Sequence, residues 1–313
     1  MTKTRNLIIK SSIGLFLVSC LVLWSQTGHQ KKRPEVPYVP TPEKVVAEML
    51  RMADVNQDDV LYDLGCGDGR IVITAAKERG CRGVGIDIDM TRIQESRVNA
   101  SNAGVSDKVE FLHMDLFEAD ISQASVVTLY LLSRVNLRLR PKLFLELNPG
   151  TRVVSHDFSM GEWNPEKSIV IEDKVDYVPF QDTRFVDDYW NKHTVYFWVI
   201  PANVSGTWKW TMSGLSGNKI YSLAIDQNFQ ELKGEAYEGT LSLPFHPKNG
   251  KIMGDKLEFT LERKRGERTE KMHFTGIVKN DDIVGFVRLE GNPDFEEKWE
   301  AKRDPSTRQT IAK

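Results

Sequence analysis

The stretch Val60-Leu61-Tyr62-Asp63-Leu64-Gly65-Cys66-Gly67-Asp68-Gly69-Arg70-Ile71-Val72-Ile73 constrains this chain more than any other. An apolar run ends in an acid, three glycines follow at every second position, and a helical pattern opens directly after them. That order is a strand, a tight loop and a helix N-terminus, the front half of a nucleotide-binding βαβ unit. Glycine permits the sharp turn and removes the Cβ atoms that would hold a ligand off the backbone. The spacing is Gly-x-Gly-x-Gly, not the Gly-x-Gly-x-x-Gly of dinucleotide sites. Asp63 stands two residues before the first glycine and Asp68 lies inside the loop. Two carboxylates repel a pyrophosphate and suit a ligand that carries positive charge.

The flanking segments extend this unit into an α/β domain over residues 37–200. Thr41-Pro42-Glu43 starts a helix, with Thr41 as a capping residue and Val45, Val46, Met49, Leu50 and Met52 on its apolar face. Tyr38, just ahead of it, either closes over a ligand pocket or packs as linker. A helix follows the loop over Ile71–Arg79, and Gly83–Asp89 is a second buried strand ending in acids. Asp87 lies about 20 residues past the loop, where a carboxylate accepts from ribose hydroxyls. Asp89 caps the helix Met90–Ala103. Val109–Asp115 alternates as a third strand, and Asp115 at its end is placed for an adenine amino group. Three acids in register after three strands (Asp63, Asp87, Asp115) weigh against simple turn formers.

Ser125–Leu132 is the fourth strand, with Tyr130 near the carboxyl end, where open α/β sheets hold their ligands. Leu137–Leu147 is a helix, and Thr151–Asp157 a fifth strand whose exit carries His156. His193 precedes a later strand and is expected at the opposite end of the sheet. Ile169–Ile171 and Thr194–Ile200 complete the pattern, a Rossmann-like doubly wound sheet of seven strands with helices on both faces.

Here the residues resemble a family. Asp63-Leu64-Gly65-Cys66-Gly67-Asp68-Gly69, Asp87 and Asp115 are similar to class I S-adenosylmethionine-dependent methyltransferases, whose donor carries a sulfonium and an ammonium. Val39-Pro40-Thr41-Pro42, Tyr62–Ile71 and Ser155-His156-Asp157-Phe158 resemble the small membrane-anchored lysine methyltransferases that modify the ATP synthase c subunit and the adenine nucleotide carrier. The resemblance implies S-adenosylmethionine as cofactor, held at Asp63, Gly65, Gly67, Asp87 and Asp115, with Cys66 and Asp68 in the same loop. It implies a protein lysine as methyl acceptor. Tyr38, Tyr130 and His156 are the candidates for the acceptor side, with core packing as the competing role of each. A small-molecule or lipid acceptor, or a binding module without catalysis, is the rival reading. In-line attack on a methyl group needs alignment more than acid–base help, so no catalytic dyad is required.

The ends of the chain follow other rules. Lys3 and Arg5 precede an almost wholly apolar run from Ile13 to Trp24, read as a signal peptide, an uncleaved anchor or a buried helix. Leu17-Val18-Ser19-Cys20 resembles a lipobox, which would make Cys20 a lipidation site and the protein membrane-associated. Residues 1–36 thus form a signal or anchor segment and linker. From Pro201 the period changes to short alternating strands, near 207–211, 220–225, 231–236, 240–243, 256–261, 272–278 and 283–289. Residues 201–303 are therefore an antiparallel β meander, a small barrel or sandwich, with Trp208, Trp210 and Trp299 as core or cavity lining. Residues 304–313 are a polar tail, expected to be disordered.

With 313 residues and a net charge of −2, nothing marks a nucleic-acid binder. Three cysteines (Cys20, Cys66, Cys81) do not make a disulfide framework, and the six histidines show no metal-ligand spacing, so no metal is expected.

Overall fold

The computed structural model describes residues 34–172, 191–214, 217–239, 243–265 and 268–311. The apolar run and Cys20 lie outside them. Among the described residues no helix is long and apolar enough to cross a membrane.

The amino-terminal half alternates helices and strands: α1 (Glu43–Met52), β1 (Val60–Leu64), α2 (Arg70–Arg79), β2 (Arg82–Asp87), α3 (Met90–Ala103), β3 (Val109–His113), β4 (Val126–Leu129), α4 (Ser133–Glu146) and β5 (Arg152–His156). β6 (Lys167–Glu172) and β7 (Lys192–Val199) follow without a helix between them in the described chain. The seven strands pair in the order β3-β2-β1-β4-β5-β7-β6. β1 to β5 are parallel, whereas β7 runs antiparallel to β5 and β6 antiparallel to β7. The order reverses between β1 and β4, and the crevice beyond the carboxyl ends of those strands is where such sheets bind ligands.

Burial explains the layers. β4 is buried at all four positions because both faces of the sheet are covered. On one face Val45, Val46, Met49 and Leu50 of α1 share a core with Ile71, Val72 and Ala75 of α2 and with Leu61, Val126 and Val154 of the sheet. On the other, Leu139 and Leu143 of α4 pack with Leu64, Val127, Val153 and Trp198.

The expected start of α1 differs in one detail. No side chain caps it; the first turn bonds to the Pro42 carbonyl. Thr41, buried beside it, instead turns its hydroxyl toward His156. Asp89 does cap α3, accepting from the Thr91 amide at 2.9 Å.

The carboxyl-terminal half closes into an eight-stranded antiparallel barrel: β8 (Gly206–Gly214), β9 (Gly217–Asn228), β10 (Glu231–Glu238), β11 (Lys248–Met253), β12 (Lys256–Arg265), β13 (Arg268–Lys279), β14 (Asp282–Leu289) and β15 (Asn292–Arg303). β15 pairs back onto β8 through Ala301 and Trp210 and removes the sheet edge. Sequence reading missed β11 and β15, the latter because Gly291-Asn292-Pro293 reads as a turn and its first half is acidic and exposed, and the strand read near 240–243 lies almost wholly outside the described residues. Trp208, Trp210 and Trp299 fill the barrel interior with Phe259 and Phe274.

Residues expected to be a disordered tail are ordered through 311. Asp304 caps a short 3-10 turn at Pro305–Thr307, and the Gln309 carbonyl accepts from Asn203 Nδ2 and Ser205 Oγ, each at 2.7 Å.

One barrel turn enters the sheet's core. Phe229, between β9 and β10, is buried against Phe144, Trp163 and the Arg140 guanidinium. Beside it Gln230 accepts from Trp163 Nε1 at 2.7 Å and donates to the Val199 carbonyl at 3.2 Å.

Candidate active site

The loop after β1 is built by backbone conformation. Gly65, Gly67 and Gly69 all have left-handed φ, at 88°, 53° and 79°. The Gly65 and Cys66 amides bond to the Ile86 carbonyl at 2.8 and 3.0 Å, which fastens the loop to β2. The Gly67 amide donates to Asp87 Oδ2 at 2.9 Å, and the Asp89 amide donates to Asp87 Oδ1 at 2.8 Å. Asp87 therefore orders the loop before any ligand arrives.

The glycines differ in what surrounds them. A Cβ on Gly67 would come within 2.5 Å of Tyr38 Cε2, so the Tyr38 ring lies on the loop. A Cβ on Gly69 would come within 2.8 Å of Phe111 and Ser96, inside the core. Tyr38 is half-exposed, with the Arg92 guanidinium 4.5 Å from its ring, whereas Phe111 is buried. Gly69→Ala is accordingly expected to lower stability by about 2–4 kcal/mol through strain and overpacking. Gly67→Ala should cost less, about 1–2 kcal/mol, the left-handed penalty with displacement of the half-exposed Tyr38 ring. Urea unfolding of both variants checks the order; equal losses would mean that Phe111 yields as readily as Tyr38.

Asp63 is almost fully buried and accepts from Thr128 Oγ1 at 2.8 Å. Burial pushes its pKa up to about 7, opposed by the Thr128 bond and reinforced by the neighbouring charges of Asp87 and Asp68. The charged groups acting on it are thus acids. Asp68 is held differently. Burial disfavours its charge, but Arg70, with Nη2 at 2.7 Å, and the Tyr38 hydroxyl outweigh this and keep its pKa below the usual carboxylate range. Cys66 turns its thiol into the core, where burial and the nearby acids push its pKa up. Asp115 accepts from the Phe117 amide at 2.9 Å, just past the point where Met114 bonds to the Asp87 carbonyl. The exits of β1, β2 and β3 are therefore adjacent, which brings Asp63, Asp87 and Asp115 to one end of the sheet.

Tyr130 stacks on His156, with ring centroids 3.8 Å apart, and Phe158 lies beyond at 6.1 Å. Thr41 joins this group to the loop: its hydroxyl is 3.4 Å from His156 Nδ1, and its carbonyl accepts from Arg70 Nη1 at 2.9 Å. His156 is fully buried, and burial holds its pKa below the ordinary histidine value against the pull of Asp157.

The placement of His193 corrects the sequence reading. Because β7 is antiparallel to β5, Val195 pairs with His156, and His193 arrives at the same carboxyl end. Its Nδ1 is 2.9 Å from His156 Nε2, with Asp157 Oδ2 beside both. A sequence signal existed, since a final strand pair after a parallel sheet must reverse one strand, but its register did not.

Comparison with known proteins bears on this arrangement. The family described as ANTKMT methyltransferase domain matches residues 63–167. A protein-lysine N-methyltransferase of Saccharolobus islandicus is 55% identical over 141 residues, which are 45% of this chain and 88% of that protein. The Mus musculus lysine N-methyltransferase of the ATP synthase c subunit is 37% identical over 131 residues, 42% of this chain and 52% of that protein. This chain thus spans about half the length of the mouse relative. A solved RNA methyltransferase from Salinibacter ruber, in complex with S-adenosyl-L-homocysteine, is 54% identical and covers 53% of this chain and 96% of its own, with a TM-score of 0.45. With a glycine loop at the adjacent exits of three parallel strands and more than half identity across most of the Saccharolobus islandicus enzyme, the chain belongs to the S-adenosylmethionine-dependent methyltransferases of the ANTKMT domain family.

Proposed function

We propose that this chain methylates the side-chain amine of a lysine in a protein. The observation that carries the donor side is Asp63: a buried carboxylate whose charged neighbours are acids gains most from a ligand that brings positive charge. S-adenosylmethionine supplies an activated methyl group and carries two cationic centres. Asp63, Gly65, Cys66, Gly67, Asp68, Asp87 and Asp115 are the residues proposed to hold it. The left-handed glycines set the sharp turn of the loop, and the acids supply charge complementarity.

The acceptor must present a neutral amine. Tyr38, Tyr130 and His156 are proposed to line its approach. A partly apolar approach beside Tyr130 would desolvate the amine, which disfavours the charged ammonium and lowers its pKa. Holding amine and methyl in line within a water-poor cleft supplies most of the acceleration such a transfer needs. Lysine as acceptor is supported by the activities for which the archaeal and mouse relatives are named.

Attachment to a membrane through residues 1–36, by an anchor or by lipid on Cys20, is proposed from the apolar run alone. The barrel over 201–303 is proposed as a separate module appended to the methyltransferase domain at 37–200.

The test uses the full chain with methyl-labelled S-adenosylmethionine and membrane and soluble extracts. Label recovered as methyl-lysine after protein hydrolysis is the expected result. Label confined to lipid, metabolites or RNA would overturn the acceptor assignment. By calorimetry with S-adenosylmethionine, Asp87→Ala should weaken donor binding by about 1–3 kcal/mol, since it loses a ligand partner and frees the Gly67 amide. An unchanged Kd would remove Asp87 from the site.

A further inference from the structure

We propose that His156, Asp157 and His193 form a binding site for a divalent transition ion, Zn2+ foremost. The site shares His156 with the proposed acceptor side but does not depend on the acceptor's identity.

Three donor atoms converge. His156 Nε2 lies 2.9 Å from His193 Nδ1 and 3.2 Å from Asp157 Oδ2, and the third edge, His193 Nδ1 to Asp157 Oδ2, is 3.5 Å. Ligands bound at about 2.0–2.1 Å in tetrahedral geometry stand about 3.3 Å apart. The triangle is close to that size, with the His156–His193 edge the shortest, so an ion could sit slightly out of its plane. A fourth position remains for a further ligand.

Proton counting favours an ion over a hydrogen-bonded cluster. A neutral imidazole carries one proton. If it sits on His156 Nε2, His193 Nδ1 is a bare acceptor facing a carboxylate oxygen. If His193 Nδ1 carries its proton, His156 Nε2 becomes the bare acceptor facing Asp157. If both nitrogens are protonated, two N–H groups face each other at 2.9 Å. Every neutral arrangement leaves one edge of the triangle without a hydrogen bond, beside two buried imidazoles. A cation satisfies all three edges.

The surroundings suit a built site. His156 is 0% and His193 4% exposed, so neither is a chance surface histidine. Asp157 adopts a left-handed φ of 59°, unusual for a residue other than glycine, and its second oxygen is fixed by the Thr194 amide at 2.8 Å. Thr41 Oγ1 near His156 Nδ1 supplies the outer partner that orients a ligating imidazole. Two imidazoles with one carboxylate select a borderline ion over Mg2+ or Ca2+. The ion would tie the start of α1 to the exit of β5 and the entry of β7.

The test uses the full chain stripped with a chelator and titrated with Co2+, read by calorimetry and by visible d–d absorption. One Co2+ per chain, a four-coordinate spectrum, displacement by Zn2+ and indifference to excess Mg2+ are expected. Asp157→Asn and His193→Ala should each weaken binding on the order of 100-fold and abolish the spectrum. Where circular dichroism shows His193→Ala unfolded, His193→Gln keeps the bulk and tests the same ligand. His113→Ala and His246→Ala, at exposed histidines outside the cluster, should bind like wild type. Absence of a stoichiometric ion in folded wild type, or equal binding by Asp157→Asn, would overturn the site. Methyl transfer measured alongside keeps this result separate from the acceptor assignment.

Discussion

Asparagine at position 63 is expected to weaken donor binding on the order of 100-fold, about 3 kcal/mol, the scale for removing one partner of a buried charge pair. It should also abolish a pH dependence that wild type shows. In the free protein the Asp63 carboxyl, pushed up to about 7 by burial, holds its proton below neutrality. A cationic ligand engages the carboxylate, so binding must release that proton. Wild-type affinity should therefore fall about tenfold per pH unit below about 7 and level off above it. Calorimetry with S-adenosylmethionine from about pH 5.5 to 8.5 measures both effects. A flat wild-type profile, or a variant that binds as tightly as wild type, would remove Asp63 from the donor site.

The same group sets a stability signature of opposite direction. Its folded pKa is raised above the unfolded value near 3.9. The stability it contributes is complete below about pH 4 and is lost as pH rises to about 7. Asp68 and Asp157 have depressed values, and each contributes stability that is lost as pH falls. Only the difference between wild type and Asp63→Asn isolates the first effect. Without donor, that variant should gain on wild type as pH rises toward 7. It would thus be more stable and less able to bind, as expected where a buried acid serves function at a cost to folding.

Trp163→Ala is expected to cost about 3–5 kcal/mol, the range for deleting a fully buried aromatic side chain. Trp163 is 0% exposed, and its ring meets Phe144 at 4.6 Å, Trp198 at 5.6 Å and Phe229 at 6.1 Å. Its Nε1 is also the donor to Gln230, so truncation opens a cavity and strips one partner from the barrel turn. Because Phe229 and Gln230 belong to the barrel and the other rings to the sheet, coupling between the two should fail first. Wild type is expected to unfold in one transition in urea and the variant in two. Gln230→Ala, which keeps the ring cluster, should cost about 1–2 kcal/mol and preserve a single transition. A single unshifted transition in Trp163→Ala would show that the halves are coupled elsewhere, for example where the Ala202 amide bonds to the Gly254 carbonyl at 2.7 Å.

The glycine loop, its neighbouring acids and the succession of strands and helices were legible from the chain alone. Each is written in contiguous residues: strand periodicity, left-handed glycines and helix caps act within a few positions. The barrel strands that alternate cleanly were legible for the same reason. Tertiary structure decided what depends on residues far apart in sequence. It set the reversed β7, which brings His193 beside His156 across 37 positions. It set the closure of β15 onto β8, which no local pattern encodes because either strand reads alike as an edge. It set the insertion of Phe229, an ordinary hairpin residue by sequence, into the sheet's core. It also set the chemistry of Asp63, whose identity was plain but whose proton is held by desolvation, and desolvation is a property of everything packed around a group rather than of the group itself.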